Sequence, residues 1–298
     1  MRGKPAASAL AESEENNMAT TEAKEMIKKF VSANKEGLKQ YFKSFTEAMH
    51  RRPCLVILQV GENKASESYI RGKVKDGEEM GVDMVVRRIP DTIPAHSLRR
   101  EIYSCDDDPN VDAVMLQLPI PERMDVGILM DCINVAKDVD GFNSRSKCYP
   151  CTPLGIISFI NALGVDTAGK NAVVIGRSDI VGKPMADMLL SKDCSVTVCH
   201  SKTPKEELER YIANADILVV AAGKRGLITK DMKFKPSAIV MDVGINVDEE
   251  GHLHGDCEPD LPVLFQSPVP GGVGLLTRLA LFFNLQMLIQ NRGKKNGK

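Results

Sequence analysis

The stretch VVIGRSDIVGKPMADMLL, residues 173–190, decides the fold. A short apolar run delivers Gly176, an irregular turn follows, and a helix starts near Gly182 with Pro184 in its first turn, where a missing N–H costs nothing. Backbone amides at such a helix end suit an anion. The common dinucleotide fingerprint has a second glycine two positions after the first. Here Arg177 and Ser178 follow Gly176, so tight strand–helix packing stands as a competing explanation.

Working outward, the second half alternates NAVVIG, a helix from about Gly182, SVTVC, a helix over 204–213, ADILVVAAG and SAIVMDVG. Short continuous apolar strands are what a sheet covered on both faces requires. Upstream, PCLVILQV, DMVVRRI and VDAVMLQL alternate with helical segments near 24–50, 64–80 and 95–106, a series of βα units that favours parallel strands. The reading is a two-domain α/β protein: a catalytic domain from 22–152 plus 275–298, and a Rossmann-like doubly wound parallel sheet over 153–274. Residues 1–21 lack apolar periodicity and read as a flexible arm. A last helix spans Leu275 to Gln290, and the basic tail NRGKKNGK reads as a solvated end.

Composition narrows the function classes. In 298 residues, 39 basic and 40 acidic side chains give a net charge of −1, so no global field favours nucleic acid or an anionic membrane. Apolar runs such as ILVVAAG read as too short to cross a bilayer. A small-molecule partner and a cytoplasmic setting are expected. Eight cysteines lie mostly in apolar segments, which implies a reducing compartment. Cys148 and Cys151 in CYPC invite a thioredoxin-like reading, and Cys194, Cys199 and His200 complete a possible zinc sketch; neither spacing fits well, and no metal is expected.

Several segments carry chemistry. After SVTVC come His200, Ser201 and Lys202, with no carboxylate to repel a 2′-phosphate; with Arg177 they favour NADP, although a solvated loop explains them too. In SESYIRGKVK, residues 66–75, helical spacing stacks Ser66, Tyr69 and Lys73 on one face. The competing reading is an exposed amphipathic helix in which Lys73 pairs with Asp76. Short-chain dehydrogenases also use Tyr-x-x-x-Lys, but there the pair follows the nucleotide turn, whereas here it precedes it. VMLQLPIPERM ends a strand with Gln117, which needs a partner if it points inward. AKDVDGF sets Asp138 and Asp140 beside a glycine turn, either facing a cleft or capping a helix. SPVPGGVG brings prolines that fix the path and glycines that let backbone approach a ligand.

Taken in order, Tyr-x-x-x-Lys, QLP, KDVDGF, PCTP, GRSDIVGKP, CHSKT, ADILVVAAG, DVGIN and PVPGGVG closely resemble the bifunctional methylenetetrahydrofolate dehydrogenase/cyclohydrolases, from about Val60 to the final helix. The resemblance implies a folate cleft between two domains, a final helix returning to the first domain, and a homodimer. It implies Lys73 as the catalytic lysine, Tyr69 stacking on the folate ring, Gln117 tuning the lysine and Asp140 anchoring the pterin. Ser66, Leu116, Leu118 and the loop Pro270, Gly271, Gly272, Val273, Gly274 are the implied folate contacts. Gly176, Arg177, Ser178, His200, Ser201 and Ile245 are the implied NADP contacts.

The implied chemistry oxidises 5,10-methylenetetrahydrofolate to a methenyl cation, which water converts to the 10-formyl product. A lysine fixed in its charged form would oppose that cation, so Lys73 is expected to exchange a proton. Two departures from the family stand out: Leu275-Leu276-Thr277 replaces the usual Pro-Met-Thr, and GDCEPDLPVLFQSPVP differs from the usual wording before the loop. Two other classes remain open at this point. One is a different NADP oxidoreductase with a lysine-bearing substrate domain, of the shikimate dehydrogenase type. The other is a nucleotide-responsive binding protein with inert catalytic groups.

Overall fold

Two all-parallel sheets organise the chain, and each is built from the apolar runs that mark it in sequence. The structure, a computed structural model, describes residues 20–296. It divides into two bodies: Ala33–Cys151 with the chain from Arg278 onward, and Thr152–Thr277 with the chain up to Ser32. Residues 1–19, most of the arm expected to be flexible, lie outside the described residues; Thr20 and Thr21 already belong to a helix.

In the first body, β1 (Cys54–Val60), β2 (Asp83–Ile89) and β3 (Ala113–Gln117) pair in the order β2-β1-β3. The helix α1 (Thr20–Met49) precedes them; α2 (Lys64–Met80) and α3 (Ala95–Asp107) are the crossovers, and α4 (Val126–Cys132) follows β3. One face of the sheet is dry: Val56, Leu58, Val114 and Leu116 pack with Leu98, Ile102, Leu129 and Met130 of α3 and α4. The other face meets α2. Asp112, 3% exposed, receives a two-pronged bond from Arg51 at 2.7 and 3.0 Å.

In the second body, α5 (Cys151–Ala162) enters from the first; β4 (Asn171–Ile175), α6 (Gly182–Leu190), β5 (Ser195–Cys199), α7 (Lys205–Asn214), β6 (Ile217–Val220) and β7 (Ile239–Asp242) follow. A hairpin of β8 (Asn246–Val247) and β9 (Leu253–His254) precedes β10 (Phe265–Gln266), and the sheet order is β10-β7-β6-β4-β5. The start of α1 belongs with this body, where the expected division has residues 22–32 in the other. The reason is apolar packing: the Phe30 ring meets Phe159 edge-on at 5.4 Å, and Phe159 meets Phe265 at 5.4 Å.

The last helix, α8 (Val273–Asn296), is longer than expected and runs into the basic tail. Arg292 in that tail is tied down, with Nη2 donating to the Ala136 carbonyl at 2.8 Å and Nη1 reaching Asp112 at 3.3 Å. The stretch Val273–Arg292 is also long and apolar enough to cross a membrane by length and composition, which the reading of short apolar runs overlooked. More than half of it is buried within the protein, as a core helix would be.

Two buried carboxylates brace the second body's loops. Asp256, 0% exposed, accepts the backbone N–H groups of Ala222, Gly223 and Lys224. Asp242 accepts those of Gly244, Asp256 and Cys257. Burial pushes the Asp242 carboxyl up to about 6, with the Asp256 charge adding to the rise and the three N–H groups opposing it. Unfolded aspartate releases its proton near pH 4, so between about pH 4 and 6 the folded state binds more protons, and this group's contribution to stability falls as pH rises. Asp242→Asn mimics the neutral acid. The melting-temperature difference between this variant and wild type is expected to shift in the variant's favour from pH 4.5 to pH 7 (about two units spanning the titration); a constant difference would contradict the assignment.

Candidate active site

The helix α2 opens with Asn63, whose side chain accepts the Ser66 backbone N–H at 3.0 Å and fixes the first turn. Helical spacing then carries Ser66, Tyr69 and Lys73 along one face to the end of β3. Lys73, only 8% exposed, donates from Nζ to Gln117 Oε1 at 3.0 Å and lies 3.7 Å from Met115 Sδ. Gln117 Nε2 donates to the Leu118 carbonyl at 2.8 Å, and Ser66 Oγ donates to the same carbonyl at 3.2 Å. Because the amide's donor end is committed to a carbonyl, its oxygen must face the amine. The partner that Gln117 needed is therefore Lys73.

Asp76, the alternative partner for Lys73, is occupied elsewhere. It pairs with Lys35 and takes Arg278 Nε at 2.6 Å. Strand alternation separates the neighbours of Gln117: Met115 and Gln117 turn toward α2, while Leu116 turns into the dry core on the opposite face. The side chain of Leu116, one of the implied folate contacts, is thus turned away from Lys73 and enclosed by apolar neighbours. Leu118 contributes the carbonyl that anchors the network.

A parallel bridge between Val114 and Asp138 lays the KDVDGF segment alongside β3. Its two acids have different tasks. Asp138, fully buried, accepts the N–H groups of Gly141 and Asn143 at 3.1 Å each and folds the turn. Asp140 has Oδ1 3.4 Å from the Cys151 thiol. Burial pushes its carboxyl above the ordinary range, while the Lys73 charge and the thiol pull the other way. Sequence reasoning passed over Cys151 as a site residue, although PCTP stood in the motif set.

Burial also decides the CYPC question. The Cys148 thiol is pushed up to about 12 and that of Cys151 well above its usual value. A redox dithiol needs an accessible, readily ionised sulfur, so the thioredoxin-like reading fails. All eight cysteines are free. The Tyr69 hydroxyl is raised by burial, with the Arg278 charge opposing.

The second body gathers the other set at the C-terminal ends of its strands. The Gly176 N–H donates to the Cys199 carbonyl at 2.9 Å, which sets Arg177 and Ser178 beside the loop of His200 and Ser201. All strands run parallel, but the order in which they are laid down reverses between β4 and β6, the switch point at whose crevice such sheets bind ligands. Gly176 has φ +130°, and a Cβ there would stand 2.3 Å from the Ala221 carbonyl oxygen. At Gly182 a Cβ would stand 2.4 Å from the Gly176 oxygen. Backbone here approaches backbone with no room for a side chain.

Ser178 uses its hydroxyl to hold this turn, accepting the Val181 and Gly182 N–H groups at 3.2 and 3.4 Å. Arg177, Ser201 and Lys202 are exposed, and His200 Nδ1 accepts the Lys202 N–H at 3.2 Å within its own loop. Ile245, beyond β7, is 44% exposed. The cradle of close backbone and an exposed arginine, with no carboxylate ending β5, fits a phosphorylated dinucleotide. Pro270 to Gly274 lie in this same body: Gly271 has φ +99°, a Cβ on Gly272 would stand 2.3 Å from the Pro268 oxygen, and Val273 opens α8.

The first body thus carries Ser66, Tyr69, Lys73, Gln117, Leu118 and Asp140, and the second carries Gly176 to Ser178, His200, Ser201, Ile245 and the Pro270–Gly274 loop. A dinucleotide cradle and a separate buried amine–amide–carboxyl set define a two-domain α/β oxidoreductase. Residues 14–140 match the catalytic domain of tetrahydrofolate dehydrogenase/cyclohydrolase, and residues 150–293 match its NAD(P)-binding domain. The chain belongs to the tetrahydrofolate dehydrogenase/cyclohydrolase family, and the match starts well before Val60, where the motifs had placed it.

Among relatives, the bifunctional protein FolD of Paracidovorax citrulli is 42% identical over 244 residues, covering 78% of this chain and 85% of its own. The FolD of Listeria innocua is 38% identical over 274 residues, covering 88% and 92%. Among solved structures, the bifunctional FolD of Campylobacter jejuni superposes with a TM-score of 0.84 at 36% identity, covering 89% of this chain and 98% of its own. That of Trypanosoma brucei, solved with NADP cofactor and inhibitor, superposes at 0.82 with 28% identity, covering 88% and 95%.

Proposed function

We propose that this protein oxidises 5,10-methylenetetrahydrofolate with NADP and hydrolyses the resulting methenyl cation to 10-formyltetrahydrofolate, with Lys73 handling the proton of the hydrolytic step. The observation that carries the reading is the buried Lys73 amine, which donates at 3.0 Å to the oxygen of an amide whose nitrogen is turned to the Leu118 carbonyl. NADP, held by the Gly176–Gly182 turn with Arg177 and Ser201 at its 2′-phosphate, supplies the hydride acceptor.

Gln117 keeps the amine's direction fixed while leaving its other positions for water and substrate. Asp140 presents a carboxyl whose raised proton affinity suits hydrogen bonding to the pterin's amino and ring nitrogens. Tyr69, half-buried one turn before Lys73, offers a flat apolar face to the same ring. Leu118 and Ser66 support the amide rather than the substrate. The shikimate-type alternative does not need this amide–amine pair beside KDVDGF. An inert binding protein has no use for a buried amine so arranged.

A homodimer working in the cytoplasm belongs to the same proposal and rests on the family resemblance; β5 forms an open edge of its sheet with Val198 exposed, a surface a second copy can use. The test mixes purified protein with 5,10-methylenetetrahydrofolate and NADP, following reduced nicotinamide and the methenyl chromophore separately. Reduced cofactor should form while the methenyl signal stays transient. A methenyl signal that persists after oxidation ends would reduce the activity to dehydrogenation alone.

A further inference from the structure

Asn284 is a polar residue in the middle of an apolar helix. Its neighbours on α8, Leu279 to Phe282 and Leu285, are buried, and Asn284 itself is 1% exposed. An amide placed there loses its hydration, so its presence calls for partners. It has them: Nδ2 donates to the Val139 carbonyl and to the Tyr149 carbonyl, both at 2.8 Å, and lies 3.7 Å from Cys151 Sγ. Its two N–H groups are both used.

Those two carbonyls belong to the two strands of chain that set the Asp140 carboxyl. Val139 precedes Asp140, and Tyr149 stands two residues before Cys151, whose thiol lies 3.6 Å from the Val139 carbonyl oxygen and 3.4 Å from Asp140 Oδ1. Between them Gly141, with φ +73°, presses on the Tyr149 backbone so closely that a Cβ would stand 2.6 Å from its carbonyl carbon. Asn284 is the clamp that joins both segments from a helix far along the chain.

We propose that Asn284 is a positioning residue for Asp140: it holds segments 139–141 and 149–151 together and so aims the carboxyl at the folate ring. The inference rests on the reading of Asp140 as the pterin anchor. Without the clamp, the Val139 and Tyr149 carbonyls lose the amide that joins them and the Asp140 loop gains freedom, which loosens the grip on folate while leaving the dinucleotide site, in the other body, untouched.

The test uses Asn284→Leu, which keeps the helix apolar and removes the donors, beside Asp140→Ala and the double variant. Asn284→Leu should raise KM for 5,10-methylenetetrahydrofolate about 10-fold, in keeping with the loss of an aimed hydrogen bond, with KM for NADP unchanged. The double variant should show no higher folate KM than Asp140→Ala alone, because the two act through one contact. Independent, multiplying effects, or a lower kcat with folate KM unchanged, would make Asn284 merely structural and overturn the inference. An unchanged folate KM in Asp140→Ala would instead overturn the pterin-anchor reading and, with it, the role given to Asn284. If Asn284→Leu does not fold, Asn284→Ser, which keeps one donor, carries the same comparison with a smaller rise expected.

Discussion

Lys73→Ala should retain the fold and lose the cyclohydrolase reaction by about 10²–10⁴-fold, the usual worth of a positioned general acid–base group. The fold survives because Lys73 bonds only Gln117 and, weakly, the Met115 sulfur, and the helix that carries it is fastened elsewhere: Asn63 caps its start, and Asp76 pairs with Lys35 and Arg278. Loss of the hydride step should be smaller, since that step needs alignment of folate against the cofactor more than a proton at the amine. Separate initial rates for reduced nicotinamide and for methenyl hydrolysis measure the split. A variant in which both rates fall equally would assign Lys73 to folate binding instead.

Gly182→Ala should raise KM for NADP by about 10- to 100-fold, because overpacking a closed backbone contact costs roughly 1–3 kcal/mol. The added methyl would meet the Gly176 carbonyl oxygen at 2.4 Å, its carbon at 2.6 Å and the Arg177 nitrogen at 2.7 Å, all backbone atoms of the turn. None can swing aside as a side chain would. The turn must open, spoiling the approach of the cofactor's phosphates to the start of α6. Folate binding to the other body should be unaffected when measured without NADP. An unchanged NADP KM would show that the turn tolerates displacement and that the cradle lies elsewhere.

The strands were legible because their signals are local. DMVVRRI and SVTVC are β2 and β5 to the residue, since turn-forming neighbours bound each apolar run. The two-residue strands of the β8–β9 hairpin and β10 were not, since strands so short owe their existence to partners rather than to their own pattern. The same divide runs through the site. Tyr69 and Lys73 announce themselves by helical spacing, and Gln117 by a polar side chain ending an apolar strand.

What stayed hidden depends on long-range pairing. Local spacing offers Asp76 to Lys73, yet Asp76 goes to Arg278, 202 residues away. Asn284 looks like an accident within RLALFFNLQML until the carbonyls of Val139 and Tyr149 appear beside it. Arg292 sits in what reads as a charged tail, but the backbone carbonyl of Ala136 and the side chain of Asp112 hold it. In each case the residue type hints at a need for a partner, and only the fold supplies which one.

The most direct measurement is the cyclohydrolase rate of Lys73→Arg in a variant shown to be folded and to bind NADP normally. Arginine keeps the positive charge and the donor to Gln117 but does not give up its proton in the working pH range. If Lys73 acts by exchanging a proton, hydrolysis should fall nearly as far in Lys73→Arg as in Lys73→Ala; hydrolysis at the wild-type rate would mean that charge alone suffices and that the amine is not the proton-handling group.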